Sequence, residues 1–156
     1  MENTKLCDLE FEIWNLFIMI TVLTGGCFDL IHYGHIVFLT KAKRLGDRLV
    51  VALESDENVR KYKGSDRPIH TQKQRSAMLK SLRMVDEVIE LPPMEGDGDY
   101  FNLVNEIKPD IIAITADDPQ RENKKRQVEL AGGKLIVVTP RLEQHSTTRI
   151  GKVLEI

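Results

Sequence analysis

Ile18-Met-Ile-Thr-Val-Leu-Thr-Gly-Gly-Cys-Phe-Asp-Leu-Ile-His-Tyr-Gly-His35 decides the reading of this chain. It opens as an apolar β-type run, Ile18 to Leu23, breaks at Gly25-Gly26, and passes into a helical pattern at His35. From His35 to Leu45 the apolar residues Ile36, Leu39, Ala42 and Leu45 keep helical spacing. A strand, a glycine turn and a helix in that order form the first unit of a parallel α/β sheet.

The same alternation continues downstream. Further apolar runs predict strands at Arg48–Leu53, Glu87–Leu91, Asp110–Thr115 and Lys134–Thr139. Helices are predicted at Gln72–Leu82, capped by Thr71, at Tyr100–Ile107, at Pro119–Leu130, and at Ser146–Ile156. Ile111-Ile112-Ala113-Ile114 and Leu135-Ile136-Val137-Val138 are apolar without alternation, as strands covered on both faces are. The expected architecture is a Rossmann-like, doubly wound α/β fold: a five-stranded parallel sheet with helices on both faces. Glu54–His70 and Met94–Asp99 read as loops, placed to move over a site.

At 156 residues the chain fits one domain, here residues 18–156, preceded by an extension of residues 1–17. In that extension Leu9, Ile13, Trp14 and Phe17 form an apolar helical stripe suited to packing on the domain or on a partner subunit. The apolar run Leu16–Leu23 is too short to span a bilayer. It also follows Glu2, Asp8, Glu10 and Glu12, where a secretory signal carries positive charge. A net charge of −2 argues against a protein that coats nucleic acid. Two cysteines, Cys7 and Cys27, are too few for a disulfide framework, and a reducing cytoplasm is the expected compartment.

The chemistry is concentrated in the segment Thr24 to His35. Ligands of open parallel sheets bind beyond the carboxyl ends of the strands, and helix N-termini favour phosphate oxygens. Gly25 and Gly26 permit close approach of backbone, and Gly34 lets His32 and His35 converge. Two imidazoles at that mouth suit a polyphosphate and the charge that develops on phosphorus during transfer. Other phosphate and metal readings fail on spacing. The histidines are three apart and no Glu follows His32, against the zinc-protease pattern; there is no G-x-G-x-x-G and no Walker A run.

Gly26, Phe28, Asp29, His32, Gly34 and His35 together make G-x-F-D-x-x-H-x-G-H, which resembles the signature of the cytidylyltransferase-like nucleotidyltransferases. Three more segments are similar to that family's, in the family's order: Asp56–Ile69 followed by Arg75, Leu82–Ile89, and Arg141–Ile150. The resemblance spans about residues 20–152 and leaves the extension outside.

The resemblance implies attack by an acceptor phosphate oxygen on the α-phosphorus of a nucleoside triphosphate, with Mg²⁺ accompanying the nucleotide. It implies catalytic roles for His32, His35 and Lys63. It implies nucleotide contacts from Gly26, Cys27, Phe28, Gly34, Asp117, Arg141, Ser146 and Thr147, and acceptor or phosphate contacts from Asp29, Lys61 and Arg75, with no metal held by the protein itself. The partners implied are ATP or CTP and a small phosphorylated acceptor, in a homodimer, without nucleic acid or membrane. The segment from Asp56 with Gly-Cys-Phe-Asp looks most like the heptose-phosphate enzymes of lipopolysaccharide core synthesis, which points to a sugar-phosphate adenylyltransferase. Arg141–Ile150 looks equally like the glycerol-3-phosphate cytidylyltransferases, and the FAD synthetase type shares the first motif. A non-catalytic nucleotide-binding domain is the reading from a different class. Thr115-Ala116-Asp117-Asp118-Pro119 departs from both the K-G-G-D-Y of the heptose enzymes and the G-D-D of the glycerol-phosphate enzymes.

Overall fold

The computed structural model describes residues 19–140. Five parallel strands form one sheet in the order β3-β2-β1-β4-β5: β1 Thr21–Gly26, β2 Arg48–Leu53, β3 Glu87–Glu90, β4 Ile111–Thr115 and β5 Lys134–Thr139. The connecting helices are α1 Tyr33–Lys43, α2 Asp56–Lys63, α3 Gln72–Lys80, α4 Asp97–Ile107 and α5 Arg121–Leu130. This is the doubly wound α/β fold expected from the apolar runs.

The continuous apolar runs of β1, β2 and β4 are explained by two cores, whereas β5, read as covered on both faces, stands at the edge of the sheet and leaves Val137 exposed among the described residues. Side chains alternate across a strand, so Val22, Leu49, Val51, Leu53, Ile111 and Ala113 join one core, together with Phe38, Leu39 and Leu79 of α1 and α3. Their neighbours Leu23, Val50, Ala52, Ile112 and Ile114 join the other, with Val104 of α4 and Val128 of α5. A strand buried on both faces has no position at which a polar side chain reaches water, and alternation disappears from its sequence.

Asp86 holds the entry to β2. Its carboxylate accepts from the Leu49 N–H at 2.7 Å and from Lys43 Nζ at 2.6 Å. The segment Leu82–Ile89 thus has a structural task in this chain, joining the end of α1 to the sheet.

Several boundaries differ from the sequence reading by a few residues, and three of the differences have a local cause. The first strand runs to Gly26, three residues past Leu23, because β2 pairs with it from Thr21 through Gly26 and the glycines remain in the ladder. Glu54–His70, expected as a loop, contains α2. Ser55 caps that helix, its Oγ accepting from Asn58 N at 3.1 Å, and Gly64 ends it at φ 102°. Asp56 and Glu57 occupy its first turn and Arg60, Lys61 and Lys63 its last, matching the helix dipole. Only Asn58 and Val59 of α2 are buried, so the apolar stripe that reveals a helix is missing. Finally, α4 begins at Asp97, inside the second expected loop, with Asp97 and Asp99 in its first turn.

The extension at residues 1–17, the helix expected at Ser146–Ile156, and Arg141, Ser146 and Thr147 lie outside the described residues. Among the described residues no helix is long and apolar enough to cross a membrane.

Candidate active site

The strand order reverses between β1 and β4, the place where open α/β sheets bind ligands. There the two strands part early. β1 keeps register with β2 over six residues but with β4 only at Val22 and Leu23. Beyond that, Thr24 Oγ1 donates to the Ala113 carbonyl at 3.1 Å, and Gly25 and Gly26 turn away. A crevice opens at the carboxyl end of β1.

The turn that follows is built around Phe28. Its φ is 46°, in the left-handed region that a bulky residue seldom occupies, and its side chain is 5% exposed. Gly26 makes room for it: a Cβ there would stand 3.0 Å from the Phe28 ring. The buried ring supports His35, at a centroid distance of 5.0 Å. Backbone strain of this kind persists where the surroundings hold it, commonly at functional sites.

His32 is the N-cap residue of α1 and His35 stands one turn into it. Their rings stack at a centroid distance of 3.8 Å and 24° between planes. No side chain caps this helix and its first turn has no acidic residue. The positive end of the helix is therefore left for an anion. The expected convergence of the two histidines across Gly34 is present.

Burial first, then His32 and then Lys63, push the His35 pKa down to about 3. The Leu30 backbone pulls the other way. His35 is thus neutral near pH 7 in the ligand-free protein. Lys63 ends α2 and its charge acts on both His35 and Cys27. Burial raises the Cys27 thiol pKa, which Lys63 opposes, and this thiol stays protonated. Lys61 shares the last turn of α2 and is exposed. Asp117 lies exposed in the turn after β4.

Two residues expected to contact the acceptor or its phosphate are placed elsewhere. Arg75 is fully buried, and four hydrogen bonds occupy its guanidinium: to the carbonyls of Cys27 (2.5 Å), Glu54 (2.9 Å) and His70 (3.0 Å), and to the Asp56 carboxylate (2.7 Å). It fastens the carboxyl ends of β1 and β2 to the starts of α2 and α3. Asp29 is also fully buried; it accepts from Ile69 N at 2.7 Å and His70 N at 3.3 Å, and pairs with Arg67 at 3.0 Å. Both act from beneath the site, holding the loops that carry it.

Beside the histidines lies a cleft of about 640 Å³, reached past Gly25, Gly26 and Cys27. Glu54, at the carboxyl end of β2, and Tyr100 of α4 line it, and the imidazoles do not. The sequence reading missed both residues. The readable signal for Glu54 was its position, directly after a strand on the ligand-binding edge of the sheet.

The model of the cytidylyltransferase-like family matches residues 23–153. The chain belongs to the cytidylyltransferase-like family. Bifunctional protein HldE of Campylobacter fetus subsp. fetus (strain 82-40) is 44% identical over 96 residues, covering 62% of this chain and 20% of that protein. Bifunctional protein HldE of Pseudomonas syringae pv. syringae (strain B728a) is 38% identical over 129 residues, covering 83% of this chain and 26% of that protein. The chain therefore spans about a quarter or less of these curated relatives. Among solved structures, the lipopolysaccharide core biosynthesis protein from Thermoplasma volcanium GSS1 superposes with a TM-score of 0.62 at 32% identity. That match covers 78% of this chain and 96% of the other. Family membership agrees with the H-x-G-H motif and with nucleotidyl transfer as the class of chemistry.

Proposed function

We propose that this chain transfers a nucleoside monophosphate from a nucleoside triphosphate to a sugar phosphate of the heptose 1-phosphate type, with ATP as donor and pyrophosphate as product. The stacked pair His32 and His35, at the uncapped start of α1 and beside the β1/β4 crevice, carries this reading. The acceptor phosphate oxygen attacks the α-phosphorus. A new P–O bond forms as the bond to the pyrophosphate oxygen breaks. Charge accumulates on the equatorial oxygens and the leaving group, where the imidazole N–H donors of His32 and His35 and the helix terminus stabilise it. Lys63 adds positive charge from the end of α2.

On the same reading, Cys27, Phe28 and Gly34 bring backbone to the nucleotide, Asp117 meets it from the turn after β4, and Arg141, Ser146 and Thr147 close over it. Among the described residues there is no group of three or more His, Cys, Asp or Glu that would hold an ion. Mg²⁺ accompanying the nucleotide is part of the proposal, where it would neutralise phosphate charge. The description of the Thermoplasma volcanium relative as a lipopolysaccharide core biosynthesis protein supports a place in lipopolysaccharide core synthesis, and the resemblance of the segment from Asp56 supports a sugar phosphate as acceptor. A homodimer in the cytoplasm is part of the proposal. Arg141–Ile150 favours a second reading, a glycerol-3-phosphate-type cytidylyltransferase.

The test is pyrophosphate release with Mg²⁺ and each of ATP, CTP, GTP and UTP, against sugar 1-phosphates, glycerol 3-phosphate, phosphoethanolamine and FMN. Release with ATP and a sugar 1-phosphate is expected, and His32→Asn or His35→Asn should lower kcat by about 10²–10³. Release with CTP and glycerol 3-phosphate would establish the second reading. Nucleotide binding without release in any pairing would overturn both.

A further inference from the structure

Three carboxylates line the cleft beside the histidines: Glu54, Asp97 and Asp118. Two have cationic partners. Asp118 pairs with Lys124 at 2.7 Å, and Asp97 pairs with Arg126. Glu54 differs, since no Lys or Arg among the described residues forms an ion pair with it.

Neutral donors hold its carboxylate instead. Tyr100 O–H donates to its two oxygens at 2.8 and 3.0 Å, and Asn58 Nδ2 lies 3.3 Å from Oε2. Asn58 is itself fixed, with Nδ2 donating to the Met94 carbonyl at 3.2 Å and Oδ1 accepting from Met94 N at 3.3 Å. Burial, and then Glu54, raise the Tyr100 pKa, so the phenol keeps its proton and remains a donor. The result is a carboxylate held in place without an ion-pair partner among the described residues, in a cleft that Leu23, Leu103 and Ile112 also line. A carboxylate has about four lone-pair sites, so acceptor capacity remains after these contacts. The Glu54 N–H donates to the Gly26 carbonyl at 3.1 Å, which places Glu54 next to the phosphate-binding turn.

We propose that Glu54 determines acceptor specificity, by accepting hydrogen bonds from hydroxyls on the uncharged polyol end of a monophosphorylated acceptor and by repelling any acceptor with a second anionic group at that end. The proposal rests on the reading of the cleft as the acceptor's place. One end of the acceptor meets the positive helix terminus and Lys63. The other meets a fixed carboxylate, so the site reads the sign of charge at both ends. Hydroxyl hydrogen bonds to a charged group discriminate by about tenfold to a hundredfold, and like charges brought together on binding discriminate by more.

Calorimetric binding of glucose 1-phosphate, glucose 1,6-bisphosphate and phosphoethanolamine to the full chain, with and without a nonhydrolysable ATP analogue, tests this. The wild-type protein should bind the monophosphate at least tenfold more tightly than the bisphosphate. Glu54→Gln keeps the shape and the Tyr100 contact; it should weaken monophosphate binding about tenfold and erase most of the preference. Tyr100→Phe, which frees the carboxylate to turn, should reduce the preference in part. Phosphoethanolamine, whose ammonium the carboxylate also attracts, should lose affinity in Glu54→Gln. Equal affinity for the two sugars, an unchanged preference in Glu54→Gln, phosphoethanolamine binding unchanged by Glu54→Gln, or no acceptor binding would each overturn the proposal. Selective binding without pyrophosphate release would reject the proposed reaction and leave the selectivity standing. Release by Glu54→Gln with wild-type KM and preference would do the reverse.

Discussion

The His32 and His35 rings lie nearly parallel with centroids 3.8 Å apart, one at the cap of α1 and the other a turn inside it. Two imidazoles that close cannot both be charged at modest cost, and His32 therefore adds to the burial that lowers the His35 pKa. The arrangement keeps His35 neutral until an anion arrives. Triphosphate binding should then raise the His35 pKa, because the phosphate charge favours the imidazolium.

This has a consequence for stability. The His35 pKa is about 3 in the folded chain against an ordinary value of 6.5, so the folded state binds fewer protons than the unfolded chain between those values. The stability tied to neutral His35 is fully present above about pH 6.5 and is lost progressively as pH falls towards 3. Urea unfolding of the wild type should therefore show a larger loss between pH 7 and pH 4.5 than unfolding of His35→Asn. Parallel losses in the two proteins would mean that this histidine is not held neutral.

Lys63 and Lys61 separate by their reach. Of the two, it is Lys63 whose charge acts on His35 and Cys27, although both lysines occupy the last turn of α2. Lys63→Ala should raise the His35 pKa, followed by the imidazole proton shifts in NMR, and should raise KM for the nucleotide about tenfold, the cost of one charge-assisted contact. Lys61→Ala should move the His35 pKa less. Equal effects of the two variants would remove Lys63 from the site.

Arg75 should register in stability. It has no exposed surface, and Arg75→Leu leaves three backbone carbonyls and Asp56 without their donor. The expected loss is about 3 kcal/mol in urea unfolding. Arg75→Lys should recover little of it, since one ammonium cannot serve four acceptors arranged around a planar fork. A wild-type unfolding midpoint with a raised acceptor KM would instead make Arg75 a substrate contact.

Much of this protein was legible in its sequence. Strands buried on both faces announce themselves as unbroken apolar runs, and Ile111–Ile114 needed no tertiary information to be recognised. The motif from Gly26 to His35 was legible too, because its spacing ties two imidazoles to a strand end and a helix start. What stayed hidden was short or polar. Helix α2 buries only Asn58 and Val59, so its signals were a Ser55 cap, acids at one end and bases at the other, which a basic polar loop can imitate.

The roles of charged residues were decided by the tertiary structure alone. Asp29 and Arg75 belong to motifs as fully as His35 does, yet both face inward and spend their hydrogen bonds on backbone and side chains of other segments, most of them 19 to 48 positions away. Glu54 belongs to no motif and faces the cleft. The sequence by itself determined the sheet, the strand-to-helix turn and the histidine pair, because these follow from local periodicity and spacing. Only the fold decided which charges meet a ligand, since burial and hydrogen-bond partners are set by residues distant in the chain and close in space.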